Sequence, residues 1–508
     1  MKETVKIIDK WYGGQVRDDK SKITGAAFNF EELDIFENQN FIRSTQLMTS
    51  DAMPASTEIY AYTAGADDTV YGVGKETSAN KIRIVSVASG GTDNPGAFGT
   101  LFTSADATNI STKITEATFF KTSETAGGYI YYITANGGTI TLKRYSVTGA
   151  AEATVGTLTG LDGSFDRPTQ KVIYGELFIC NGIYIAKVDK DGVFNEKAFT
   201  MPSDWEAVDI IPVSDVALLL AKNTNRLVNQ TRCFWWDLTS TTQFNDSFSL
   251  PVGGPQWMVN YQEKITIFCA INGQGRFFQL TGAFQGAKPV ELPSLILTNV
   301  AAETTTQPIS MSKMLSTKDK ILYFGLYKTD KTGIFALGQL DGDKSTAVCL
   351  AKRFDTSDYS LHKPTSLLIQ GSNFYASFDD NGAADHSRCE SNNSPTRSSN
   401  GVYESVWIDF DNPFSDKSLS RAYISSYPLS ASTSLDLYVA TDYSSSYTQI
   451  KRADNTIFNT ANGLLGLFRP AAFNNKKVYR IKVLWTSSTI NSPKLTAIGL
   501  RGEIKNLP

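Results

Sequence analysis

Gly128-Tyr129-Ile130-Tyr131-Tyr132-Ile133 runs into Asn136-Gly137-Gly138 and out again through Thr139-Ile140-Thr141-Leu142-Lys143-Arg144-Tyr145. β-Branched and aromatic residues flank a glycine turn, which is how a β-hairpin is written: the side chains fit a pleated surface and Asn-Gly takes up the left-handed backbone of a tight reversal. The pattern returns. Glu176-Leu177-Phe178-Ile179 passes through Asn181-Gly182 to residues 183–189, and residues 320–324 lead through a turn ending at Gly333 to residues 334–341. Weaker copies start near Asp68, Asp215, Glu263 and Ser372. From 68 through 128, 176, 215, 263, 320 and 372 the steps are 60, 48, 39, 48, 57 and 52 residues, close to 50 on average.

A period of about 40–50 residues with several short strands per repeat is that of propeller blades, because one four-stranded sheet cannot bury both of its faces without neighbours. The fold expected is therefore all-β: a six- or seven-bladed β-propeller over residues 51–378. Between 379 and 401 the text becomes Asp-Asp-Asn-Gly and then Ser-Arg-Cys-Glu-Ser-Asn-Asn-Ser-Pro-Thr-Arg-Ser-Ser-Asn-Gly, nearly free of apolar side chains, which reads as a polar linker. Strand patterning resumes over 403–410, 421–425, 434–441, 447–450, 478–485 and 494–500, enough for a jelly-roll-like β-sandwich from 402 to 508. Residues 1–50, with Trp11-Tyr12-Gly13-Gly14, match neither block and read as an arm or as the strand that closes the propeller; residues 29–40 hold a short helical pattern.

Composition agrees with β structure. Hydrophobic residues make up 41% of the 508 and charged residues 19%, and the polar remainder is rich in Ser, Thr, Asn and Gly. A net charge of -3 lacks the basic field of a nucleic-acid binder. No apolar run approaches the ~20 residues of a membrane span, and no signal-peptide core follows Met1. The five cysteines, Cys180, Cys233, Cys269, Cys349 and Cys389, are scattered through strand-like text and read as reduced, buried thiols.

Motifs that carry chemistry are scarce. With His362 and His386 alone, histidine catalysis and multi-histidine metal sites are not expected; His386-Ser387-Arg388-Cys389 has no second pair of ligands. Gly72-Val73-Gly74-Lys75 is followed by Glu76 where a phosphate loop needs Ser or Thr. The Asp-rich stretches 189–192, 341–343 and 379–382 read as hairpin turns, none continuing to the distant Glu of a calcium loop. Trp235-Trp236 and Trp257 lie in strand-like runs and read as core. The expectation is of no enzyme, no catalytic or metal-binding residue and no cofactor. Paired carboxylates for glycoside cleavage are set by the fold rather than by spacing along the chain, so none is named.

Two stretches carry a resemblance. Ile7-Ile8-Asp9-Lys10-Trp11-Tyr12-Gly13-Gly14, with Glu32-Leu33-Asp34-Ile35 and Phe41-Ile42-Arg43-Ser44, is similar to the opening of tailed-phage virion proteins that precede a propeller. Tyr479-Arg480-Ile481-Lys482-Val483 and the 492–500 stretch resemble the closing strands of propeller-bearing tail hub or nozzle proteins. The resemblance implies a structural component of a virion tail or neck, assembled in the host cytoplasm as a homo-oligomeric ring. Its partners would be tail tube, adaptor, hub or fibre proteins, with neither a membrane nor a specific nucleic acid among them. The alternative is a module that binds host-surface glycan, followed by a glycosidase.

Overall fold

The structure, a computed structural model, describes residues 2–8, 27–36, 42–50, 53–88, 97–107, 116–123, 127–136, 138–161, 168–225, 229–282, 286–292, 297–298, 300, 316–318, 321–326, 328, 333–339, 346–354, 362–371, 373–380, 387–391, 396–451, 465–468 and 473–505. Strands are the only regular element among them. The helix expected within residues 29–40 is corrected over its described part: Ala27–Glu31 is a strand paired with Asn400–Ser405. Phe28 and Phe30 alternate with polar Asn29 and Glu31, and that period of two prevails in a segment this short.

Among the described residues the sheets form seven blades. The first four are four-stranded antiparallel meanders: Thr57–Ala64 to Gly99–Ala107, Ala117–Phe120 to Ala151–Thr157, Gln170–Ile173 to Phe194–Thr200, and Trp205–Val213 to Asp246–Ser249. The fifth runs from Pro255–Tyr261 to Lys288–Glu291, and the sixth from Ser316–Lys318 to Thr346–Phe354. The seventh has His362–Gln370, Asn373–Asp380 and Ser387–Ser391, the last lying within the 379–401 stretch. Its outer partner comes from the other end of the chain. Gln46–Ser50 pairs antiparallel with Ser387–Ser391 and parallel with Thr346–Phe354, stitching the sixth and seventh sheets into one. The first strand of each blade is innermost, and neighbouring blades bond there: Phe119 N donates to Thr63 Oγ1, Thr169 Oγ1 to the Val208 carbonyl, and Tyr62 N to Ser366 Oγ.

The blades are fastened by aromatic layers. Trp257 meets Phe268, Phe277 and Phe324 with ring centroids 5.3, 6.2 and 5.5 Å away, while Trp236 lies 4.9 Å from Phe199. Trp235, Trp236 and Trp257 are all buried, and full burial of side chains this large is what drives neighbouring blades together. Cys180, Cys233 and Cys269 are buried free thiols in these cores, and Cys349 is buried in the core shared with the second domain; burial pushes Cys269 up to about 12 and the other three upward as well. The Gly72–Gly74 text is the strand Val70–Glu76, and a Cβ at Gly74 would sit 1.7 Å from the Glu58 carbonyl oxygen, so the glycine serves close strand packing.

One polar tie crosses three blades. Asp209, wholly buried, accepts from Lys171 Nζ at 2.6 Å, Ile210 N at 2.8 Å and Met258 N at 2.8 Å. Burial raises the Asp209 carboxyl above the ordinary carboxylate range, against the pull of Lys171 and the two amides.

The second domain is a two-sheet sandwich, and both sheets take a strand from the N-terminal segment. One sheet has the order Lys2–Ile8, Leu495–Ile504, Lys417–Ser426, Leu465–Phe468; the other Ala27–Glu31, Asn400–Ser405, Tyr479–Thr486, Ser434–Thr441, Thr448–Ile450. The strap between these strands and Gln46–Ser50 joins the two domains. Leu33, Ile35 and Ile42 share one core with Ala347 and Cys349 of the sixth blade and with Tyr403, Leu435, Ile481 and Trp485 of the sandwich. Polar ties run along the strap: Arg397 Nη1 donates to the Ser44 carbonyl at 3.0 Å, Lys352 Nζ to Gln46 Oε1 at 2.7 Å, and Ser44 Oγ lies 2.9 Å from Ser487 Oγ.

Candidate recognition site

The residues singled out in the sequence take up separate structural posts. The three tryptophans are core, and Gly72–Glu76 is strand. Asp189 caps its own hairpin, its Oδ1 accepting from Asp191 N and Val193 N, both at 2.9 Å, while Asp191 takes Ser123 Oγ and Lys190 Nζ. Cys389 is on the strand Ser387–Ser391; His386, Asp341–Asp343, Asn381 and Trp11–Gly14 lie outside the described residues. Among the described residues no group of three or more His, Cys, Asp or Glu is placed to hold a metal ion.

A convergent set of side chains occurs instead at the end of the sandwich away from the propeller. In Tyr479–Thr486 alternation sends Tyr479, Ile481, Val483 and Trp485 into the core and puts Arg480, Lys482 and Leu484 on the opposite face, where Arg480 is buried as well and Lys482 and Leu484 are half-buried. Ala440 and Tyr438 lie opposite Arg480 and Lys482 on one neighbouring strand, and Glu404 opposite Lys482 on the other. Arg480 lies over the Trp407 ring, 4.3 Å from its centroid, and Trp407 meets Tyr443 edge-on at 5.0 Å. Tyr447 bonds to Arg480 and Glu404; burial and the Glu404 charge push its hydroxyl up to about 12. Lys482 pairs with Glu404 at 3.2 Å, and Gln449 Nε2 donates to Asp436 Oδ1 at 3.2 Å.

Trp407 is nearly covered, with 9% of its surface exposed, whereas Tyr443 at 56% and Phe414 at 76% stand out from the loops beside it. The loops holding them are strained. Phe410 and Asp411 have φ of 53° and 60°, and Asp442 and Tyr443 52° and 63°, a conformation costing roughly 1–2 kcal/mol per L-residue. Cross-ties keep it in place: Lys477 N donates to Asp442 Oδ1 at 2.7 Å, Lys477 Nζ to the Phe414 carbonyl at 2.8 Å, and Tyr479 Oη to the Lys417 carbonyl at 2.9 Å.

The site therefore offers aromatic edges and faces beside fixed donors and acceptors, an arrangement suited to a ligand with apolar ring faces and hydroxyl edges. The sequence signal for it was the alternation of Arg480 and Lys482 with buried neighbours. Trp407, Tyr443 and Tyr447 are separated along the chain, and only the loop packing brings them together.

No family model matches the chain, and no curated protein matches it. Solved structures similar to it include an exo-β-1,3-galactanase of Phanerochaete chrysosporium with galactose, 9% identical over 90% of this chain and 100% of that one, TM-score 0.32. The β-propeller domain of the Trilobed protease of Pyrococcus furiosus is 9% identical over 66% of this chain and 94% of its own, TM-score 0.37. The GH93 α-L-arabinofuranosidase of Fusarium graminearum is 11% identical over 69% and 97%, TM-score 0.33. These likenesses concern the fold. The expectation that the chain is not an enzyme is withdrawn: two of these similar structures are glycosidases, and glycoside cleavage uses two carboxylates, so the scarcity of histidine on which the expectation rested excludes nothing.

Proposed function

We propose that this chain is a carbohydrate-binding protein whose recognition site is the outer end of its sandwich. The observation that carries the reading is the Trp407, Tyr443, Tyr447 and Arg480 cluster, with its strained and exposed Tyr443 loop. Aromatic rings stack on the apolar faces of sugars, while Glu404, Asp436, Gln449 and Arg480 are planar groups suited to hydroxyl pairs. The propeller is the rigid support. A saccharide array probed with the full chain tests this, followed by titration of Tyr443→Ala. The expected loss is tenfold or more in affinity, about 1.4 kcal/mol. A Tyr443→Ala variant that binds the same sugars equally well would remove the site from consideration.

A second reading places the chain in a tailed-phage particle as a platform between tail or neck components, in line with the resemblance of residues 7–14 and 479–483. The strap favours it, since a propeller and sandwich sharing one core suit a load-bearing part. The two readings are compatible in a host-binding virion protein. Mass spectrometry of purified particles tests the second: absence of the chain from them refutes it.

A further inference from the structure

We propose that the ammonium of Lys417 is the organising cation of the sandwich tip, so that the site takes an uncharged saccharide and needs no divalent ion; the saccharide part rests on the carbohydrate reading above. Lys417 is wholly buried, an unusual place for a lysine. Its Nζ donates to the carbonyls of Ser415 at 2.8 Å and Lys477 at 2.7 Å, one from each of two tip loops. Asp409, Asp416 and Asp442 add their charges around it, against burial and the like charge of Lys477. Carbonyl oxygens with flanking carboxylates are the surroundings that a hard cation such as calcium takes. Here the cradle is filled by a cation tethered to the strand Lys417–Ser426.

The tether also sets the loops. Lys417 and Lys476 exchange backbone hydrogen bonds at 2.9 and 3.0 Å, which fixes residues 473–478. The Ser415 carbonyl fixes the end of the loop bearing Phe414, and Lys477 passes the constraint to Asp442, next to Tyr443. Lys417 is thus a positioning residue: it acts on the ligand through Tyr443 and Phe414. The ligand class follows from charge. Lys482 is paired with Glu404 at 3.2 Å, Lys476 with Asp442 at 3.1 Å and Lys477 with Asp416 at 2.7 Å. An acidic sugar would have to compete with these carboxylates, whereas a neutral one uses them as acceptors.

The test uses the full chain in three forms: wild type with and without EDTA, Lys417→Met, and Lys417→Ala with and without methylammonium. Amide hydrogen exchange is read at 409–416 and 442–447, with the second-blade hairpin 129–146 as folding control. Binding of neutral hexose oligosaccharides is compared with their uronic-acid and sulfated counterparts. EDTA is expected to change neither readout in the wild type. Lys417→Met should speed exchange of both loops at least tenfold with the hairpin still protected, and methylammonium should slow it again in Lys417→Ala. Loops unaltered in Lys417→Met, a wild type loosened by EDTA, or acidic sugars binding tenfold better than neutral ones would each overturn the inference. If the loops respond as expected and no saccharide binds, the carbohydrate reading and the saccharide half of this inference fall, and Lys417 stands as the organising cation.

Discussion

Replacing Asp209 by Ala should destabilise the propeller far more than removal of any half-exposed ion pair. The carboxylate is wholly buried and takes three donors, Lys171 Nζ, Ile210 N and Met258 N. Hydrogen bonds to a charged group contribute about 1.5–3 kcal/mol each, and the two amides lose their acceptor in a dry interior. Lys171 is 26% exposed at its side chain, so part of its solvation returns and its share is discounted. Contributions within one network do not add, and the expected loss is about 3–5 kcal/mol, the range for breaking a buried pair. Lys187 and Glu176, paired at 3.0 Å within the third blade with side-chain exposures of 25% and 31%, are the control, with Lys187→Ala costing under about 1 kcal/mol. Urea unfolding followed by tryptophan fluorescence reports the same region, since Trp236 shares a core with Ala207 and Ile210 beside Asp209, and Trp257 precedes Met258, which donates to it. In Lys171→Met/Asp209→Leu, an apolar pair should recover part of the loss. An Asp209→Ala variant within about 1 kcal/mol of wild type would refute the claim that this tie holds the three blades.

Three further outcomes follow from the geometry. A fragment of residues 396–508 lacks Lys2–Ile8 and Ala27–Glu31 and should stay unfolded by amide NMR dispersion, while adding residues 2–31 through a linker should restore it; a folded fragment contradicts the shared-strand account. Gly74→Ala should lower the yield of folded protein sharply, because its Cβ meets the Glu58 carbonyl at 1.7 Å and the obstacle is backbone; a variant with unchanged thermal stability contradicts that packing. Asp416 is held below the ordinary carboxylate value by its hydrogen bond from Lys477, and Asp237 by the amides of Ser240 and Thr239. Their contribution is present above about pH 3.9 and lost as pH falls through the lower folded values, so tip exchange should rise below pH 3.9 in wild type and lose this step in Asp416→Asn.

Local pattern carried most of the propeller. The hairpin Tyr129–Asn136 to Thr139–Ser146 forms as its text indicates, and Tyr131, Tyr132 and Ile133 are all buried because neighbouring blades cover both faces. Pairing across the whole chain was not legible in the same way. Nothing in Lys-Glu-Thr-Val-Lys-Ile-Ile names Leu495–Ile504 as its partner, and the register of Gln46–Ser50 between two blades is set by the tertiary fold. Ser387–Ser391 is written in polar residues because it lies toward the outer edge of its blade, where no apolar signal is required. The tip was hidden for a different reason: Lys417 looks like any strand lysine, and its value lies in carbonyls two and sixty residues away.

The position of a bound sugar decides between the sandwich tip and the propeller, and a structure of the full chain with a neutral oligosaccharide chosen from the array would show it. The expected result is a pyranose ring against Tyr443 beside Trp407, with hydroxyls within hydrogen-bond reach of Arg480, Glu404 or Gln449 and with Lys417 still seated on the Ser415 and Lys477 carbonyls. A sugar bound at the propeller axis, with the sandwich tip empty, would contradict it.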